Sequence, residues 1–163
     1  MKIGVRAHDY GKRKIEEMAA LLHDEGYGAA QKADMRLAIE PVYWHPLTDL
    51  ETTMEVIHRV GDEEHLRLIF DASNLLEFPE NTDQDKLWTE WLEAVGKYAD
   101  VIHIKDFSLD RRRQYQTEPL GKGVMRYDAI SRWLDKQKRE ISLIREEMNL
   151  LFVKEDLAFM RNL

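Results

Sequence analysis

The sequence predicts an α/β protein of five strand–helix units, and two patterns carry that prediction. Short apolar runs alternate with longer stretches whose apolar residues recur three and four apart. Glycine, proline and aspartate stand between them, where helices stop and start. Length and composition agree. The chain has 163 residues, 44% hydrophobic and 34% charged, enough for a single α/β domain over 1–163 with a buried core.

Lys2 to Ala7 is the first apolar run, followed by an amphipathic stretch from Lys12 to Glu25. There Ile15, Met18, Ala19 and Leu22 share one helix face, and Gly26 and Gly28 supply the stop. Met35 to Glu40 is the second strand, turning at Pro41. Its helix starts after Thr48-Asp49, carries Met54, Ile57 and Val60, and ends at Gly61. Leu66 to Asp71 is the third strand, and Gln84 to Tyr98 is a helix carrying Leu87, Trp88, Trp91, Leu92 and Val95. Val101 to Ile104 is the fourth strand, followed by a long polar loop to about Val124 and a helix from Tyr127 to about Lys138. Ile141 to Ile144 and the helix Lys154 to Asn162 complete the series. This alternation predicts βαβ units and a mainly parallel five-stranded sheet.

Charge and composition exclude several functions. A net charge of −7 argues against nucleic acid and anionic membrane as partners. The absence of cysteine removes disulfides, zinc–thiolate sites and thiol nucleophiles. The opening MKIGVRAHDYGKRK reads as a strand, not as a signal peptide or membrane span, so a soluble cytoplasmic protein is expected. Gly121-Lys122-Gly123 lacks the strand–glycine–helix setting of a phosphate loop, and no nucleotide cofactor is expected.

The chemistry gathers at strand ends. Glu40 closes the second strand, Asp71 the third and Glu146-Glu147 the fifth, while His103 sits in the fourth. In parallel α/β folds these ends converge on the ligand-binding rim. Crowded carboxylates repel unless a cation neutralises them, and carboxylates with one imidazole suit Mn²⁺, Mg²⁺, Co²⁺ or Zn²⁺. Helix capping and loop anchoring are the alternative uses of the same residues. His45, just after the second strand, lines a pocket or packs in its loop.

The segments Ala38-Ile39-Glu40-Pro41, Ile69-Phe70-Asp71 with Asn74, Val101 to Asp106 and Leu143 to Glu147 resemble the fifth to eighth strands of the xylose-isomerase-like sugar isomerase/epimerase family. Lys2 to Gly26 resembles that family's first unit, and Pro119 to Gly123 its glycine-bearing loop after the seventh strand. The resemblance implies an eight-unit barrel with a divalent metal held by Glu40, Asp71, His103 and one of Glu146 or Glu147, with Glu147 preferred. It further implies Glu40 and Glu147 as the acid–base pair of a sugar or sugar-phosphate isomerase or epimerase. Asn74, Lys105 and His45 are the expected sugar contacts.

The sequence departs from that pattern in one large respect. Such barrels run to about 250 residues, yet residues 29–34 lead straight from the first unit to the counterpart of the fifth. The second to fourth units have no counterpart. Two strand orders are expected to follow, an open partial barrel (2-3-4-5-1) or a flavodoxin-like rearrangement (2-1-3-4-5). A homodimer would cover the exposed sheet face or edge. With much of the sugar pocket absent, the favoured reading is a remodelled or engineered scaffold without turnover, ahead of a working metal-dependent isomerase.

Overall fold

The computed structural model describes residues 3–6, 32 and 34–163. The helix expected over Lys12 to Glu25 and the turn at Gly26 and Gly28 lie outside them. Strand β1 is Ile3–Arg6 and β2 is Leu37–Glu40. Helix α1, Leu50–Val60, forms between the expected caps. Asp49 accepts the Thr52 amide at 2.8 Å, and Gly61 ends the helix in the left-handed region at φ 66°.

Strand β3 is Leu66–Asp71, and α2 is Gln84–Val95, capped by Asp83. The expected run to Tyr98 continues past Val95 as one 3₁₀ turn, Gly96–Tyr98. Strand β4 is Ala99–Ile104. The polar stretch that follows is more ordered than a loop. Its β5 (Asp106–Leu109) and β6 (Tyr115–Glu118) pair as an antiparallel hairpin. Helix α3, Asp128–Leu134, stops a turn early because Asp135-Lys136-Gln137-Lys138 offers no apolar residue to bury. Strand β7 is Ser142–Arg145, and α4 is Val153–Arg161.

The main sheet is parallel and five-stranded, in the order β1-β2-β3-β4-β7. Neither expected strand order is seen. β1 lies beside β2, neither inside the sheet in flavodoxin-like fashion nor beside the last strand. Strands consecutive in the chain usually lie side by side, and β1 takes the place beside its successor.

Alternation divides the sheet into two faces. Leu37, Ile39, Leu66, Leu68, Phe70, Ile102 and Ile104 are buried in one core with helix residues such as Val56, Trp88 and Ile130. Phe70 meets Trp88 edge-on at 6.1 Å. The opposite face carries Glu40, Asp71 and His103, with Asp71 paired in register to His103. Near the other end of the strands the register slips between Leu68 and Ile69, leaving Asp100 as an extra residue in β4. Arg36, Arg67 and Arg139 close on its carboxylate at 3.0, 3.3 and 2.9 Å. None of the helices among the described residues is long and apolar enough to cross a membrane.

Candidate metal centre

Three adjacent strands each deliver one polar side chain to a common point. Glu40, Asp71 and His103 stand at the carboxyl ends of β2, β3 and β4, and one donor atom from each lies within 4.8 Å of the others. His103 Nδ1 is 3.9 Å from Glu40 Oε1 and 3.7 Å from Asp71 Oδ2. Both carboxylates are buried. Asp71 Oδ1 is engaged by the Ser73 amide and hydroxyl and the Asn74 amide, which anchors the side chain. Asn74 Nδ2 donates to Glu40 Oε1 at 2.5 Å.

His103 Nδ1 is buried without a hydrogen bond, and buried Asp71 Oδ2 has the Lys105 ammonium at 3.0 Å as an ion-pair partner but no well-formed hydrogen bond. Both belong to the cluster, and buried polar atoms seldom go unsatisfied. Two carboxylates and an imidazole with lone pairs turned to one point are a donor set able to hold a divalent cation.

The two neighbouring glutamates part ways. Glu146 Oε1 is 3.4 Å from His103 Nδ1, and its Oε2 is 2.6 Å from Lys105 Nζ. Glu147 turns aside through a left-handed backbone, φ 52°. Its carboxylate accepts the Tyr115 hydroxyl and lies 3.9 Å from Lys105 Nζ. Lys105 also reaches Asp71 Oδ2 at 3.0 Å, so its ammonium bridges the third and fifth strand ends.

The charges shape one another. Burial and then the Asp71 charge push the Glu40 carboxyl above its usual range, with His103 and Asn74 pulling back. Burial opposes charge on Asp71 too, but His103, Lys105 and Ser73 outweigh it and hold that carboxyl low. Burial likewise disfavours the His103 imidazolium, yet Asp71, Glu40 and Glu146 raise its pKa above the ordinary value. Lys105 is raised against burial by Asp71 and Glu146.

A cavity of about 630 Å³ adjoins this cluster at Glu40. Glu40, His45, Asn74, Lys105, Glu146 and Glu147 line it, together with Trp44. The loop carrying Pro119 to Val124 is tied to the start of β5 through buried Asp106. Asp106 accepts the amides of Gly121 and Gly123 at 2.9 Å each, and that of Met125 at 3.1 Å. A Cβ on Gly123 would lie 2.2 Å from Asp106 Oδ1, so only glycine lets the loop approach. Sequence reasoning missed Tyr115. The alternation of Phe107 and Leu109, with a second short run at Tyr115 to Glu118, was the available signal of a hairpin.

A family model described as xylose isomerase-like TIM barrel matches residues 6–163. No curated protein matches the chain. Among solved structures, a xylose isomerase domain protein from Planctomyces limnophilus superposes with a TM-score of 0.67 at 19% identity, covering 98% of this chain and 57% of that one. A xylose isomerase-like TIM-barrel protein from Mycobacterium smegmatis, in complex with magnesium, gives 0.63 at 18%, covering 90% and 49%. IOLI protein with a bound zinc atom gives 0.64 at 16%, covering 99% and 59%. At these identities the likeness is one of fold, and the chain spans about half to three-fifths of each.

Proposed function

The chain belongs to the xylose isomerase-like TIM-barrel family, and from that premise we propose a divalent-metal-dependent isomerase or epimerase of sugars or related hydroxy-carbonyl compounds. The observation that carries this reading is the convergence of Glu40, Asp71 and His103 beside a cavity that Glu40 lines. Glu146 is the proposed fourth ligand in the place first expected of Glu147, because its carboxylate stands beside His103. These four side chains would hold a cation, which would supply Lewis-acid polarisation of a substrate carbonyl and so acidify the neighbouring C–H.

The chain's own groups do the rest. Asn74 holds the Glu40 carboxyl by its Oε1 at the cavity wall. Held there, Glu40 is the proposed first proton carrier. Glu147 lines the same cavity with its carboxylate steadied by Tyr115, and serves as the second proton carrier. Lys105 and His45 contribute hydrogen bonds to substrate oxygens, and Trp44 shields the reacting carbons from water.

A scaffold without turnover is the second reading, favoured by the direct passage of residues 29–34 from the first unit to the counterpart of the fifth. Thermal melting in Mn²⁺ against chelator tests the metal centre. At a hundredfold excess over Kd, binding raises stability by about 2.7 kcal/mol, and Glu40→Gln is expected to lose most of the shift. No metal-dependent shift in the unmutated chain overturns the proposal. Exchange of ketose hydrogens with D₂O, dependent on both Mn²⁺ and Glu40, supports the enzyme; a melting shift without exchange supports the scaffold.

A further inference from the structure

A second cavity, of about 400 Å³, adjoins the first and shares Trp44, Asn74, Lys105 and Glu147 with it. Its remaining wall has a different character. Tyr43, Leu76, Phe107, Leu109 and Tyr115 contribute apolar and aromatic surface. Phe107 and Tyr115 stack across the β5–β6 hairpin at 4.7 Å, and Tyr43 meets Trp44 edge-on at 4.5 Å. Trp44 is 53% and Tyr115 42% exposed, so two large rings turn toward solvent around one concavity. A clustered exposed apolar surface of this kind marks a binding site more often than chance.

The charges on that wall argue against an anionic occupant. Arg113 is engaged by Glu80 at 2.9 Å, and Lys105 by Asp71 and Glu146. Glu77 and Glu147 add negative charge. A phosphate would meet two carboxylates and two cations already paired. A neutral planar or apolar group would instead meet the aromatic and apolar side chains of Tyr43, Leu76, Phe107, Leu109 and Tyr115.

Resting on the metal-centre reading, we propose that this cavity is a subsite for an apolar, planar substituent of the substrate. The substrate class is then a neutral hydroxy-carbonyl compound bearing a ring or apolar tail, in preference to a sugar phosphate. The metal-proximal end engages the reacting carbons, and the substituent lies between the hairpin and the Tyr43–Trp44 edge.

Chelating probes with different tails separate the two readings. Acetohydroxamate, benzohydroxamate and phosphoglycolohydroxamate share a metal-binding head and are titrated into the Mn²⁺-loaded chain by calorimetry. Benzohydroxamate is expected to bind about tenfold tighter than acetohydroxamate, an advantage in keeping with burial of one phenyl face. Leu109→Asp should erase that advantage and leave acetohydroxamate binding in place. Tyr43→Ser, on the opposite wall and outside the hairpin, should reduce it if Leu109→Asp fails to fold. Equal affinities, or tightest binding by the phosphate-bearing probe, overturn the subsite. If acetohydroxamate fails to bind at all, the metal-centre reading falls. The subsite is then judged by benzyl alcohol, which has no chelating head. Chemical-shift changes at the rings of Tyr43, Trp44 and Tyr115 support it, and their absence overturns it.

Discussion

His103 sits among three carboxylates and titrates accordingly. Its folded pKa is raised, so its charged form adds stability that is full below about pH 6.5 and is lost as pH climbs through the folded value. In chelator, the melting midpoint is expected to fall as pH rises above about 6.5, and His103→Asn to flatten that part of the profile. An unchanged profile in the variant would assign the dependence to another group. Mn²⁺ affinity should strengthen over the same interval, since a ligand imidazole must first lose its proton. Glu40, Asp71 and His103 were legible in the sequence because parallel strands carry their chemistry at their carboxyl ends. The choice between Glu146 and Glu147 was not, because the left-handed backbone at Glu147 breaks the alternation that strand reasoning relies on. Tyr115 was hidden for a different reason. Its contact with Glu147 spans 32 residues and exists only once the hairpin has formed.

At the scale of elements, the last strand and last helix are joined by a buried ion pair, Arg145 Nε to Asp156 Oδ2 at 2.7 Å. Asp156 Oδ1 also accepts the Leu120 amide, and Arg145 donates to the Glu118 carbonyl, so the pair pins the hairpin's end and the glycine loop to β7 and α4. Removing one partner strands the other charge. Arg145→Met is therefore expected to cost about 3–5 kcal/mol, and adding Asp156→Leu to recover a large part of it. Urea unfolding of the two variants checks this; a double variant no more stable than the single would refute it. The helices were legible wherever caps and apolar spacing agreed, as at Asp49 and Gly61 around α1. The hairpin was not. A polar turn through Asp110 and three arginines reads as solvated loop until Phe107 and Tyr115 stack.

For the whole molecule, the large exposed aliphatic residues among the described ones fall in one stretch of chain. Ile144, Met148, Leu150, Leu151 and Leu157 belong to β7 and the chain after it, and Leu150 and Leu151 are each 81% exposed. Among the described residues β7 pairs only with β4, so the same region borders a free parallel edge. An uncovered edge beside apolar side chains promotes pairing with another copy. Sedimentation is expected to show a concentration-dependent dimer that Leu150→Asp with Leu151→Lys shifts toward monomer. A chain monomeric at high concentration, or dimers indifferent to these changes, would rule the edge out as the contact. Strand order was the part of the architecture that sequence could not supply. Every βα unit advertises a strand, and none advertises its neighbour.

Lys105 has a consequence for how such a protein comes to maturity. Its ammonium lies between Asp71 and Glu146, so part of the positive charge that the crowded carboxylates require is written into the polypeptide. Part of the neutralisation that an ion would supply is then in place as the chain folds. On the proposed metal reading, a cation would enter a site whose charges are already partly balanced by Lys105, and its loading would be a step separate from folding.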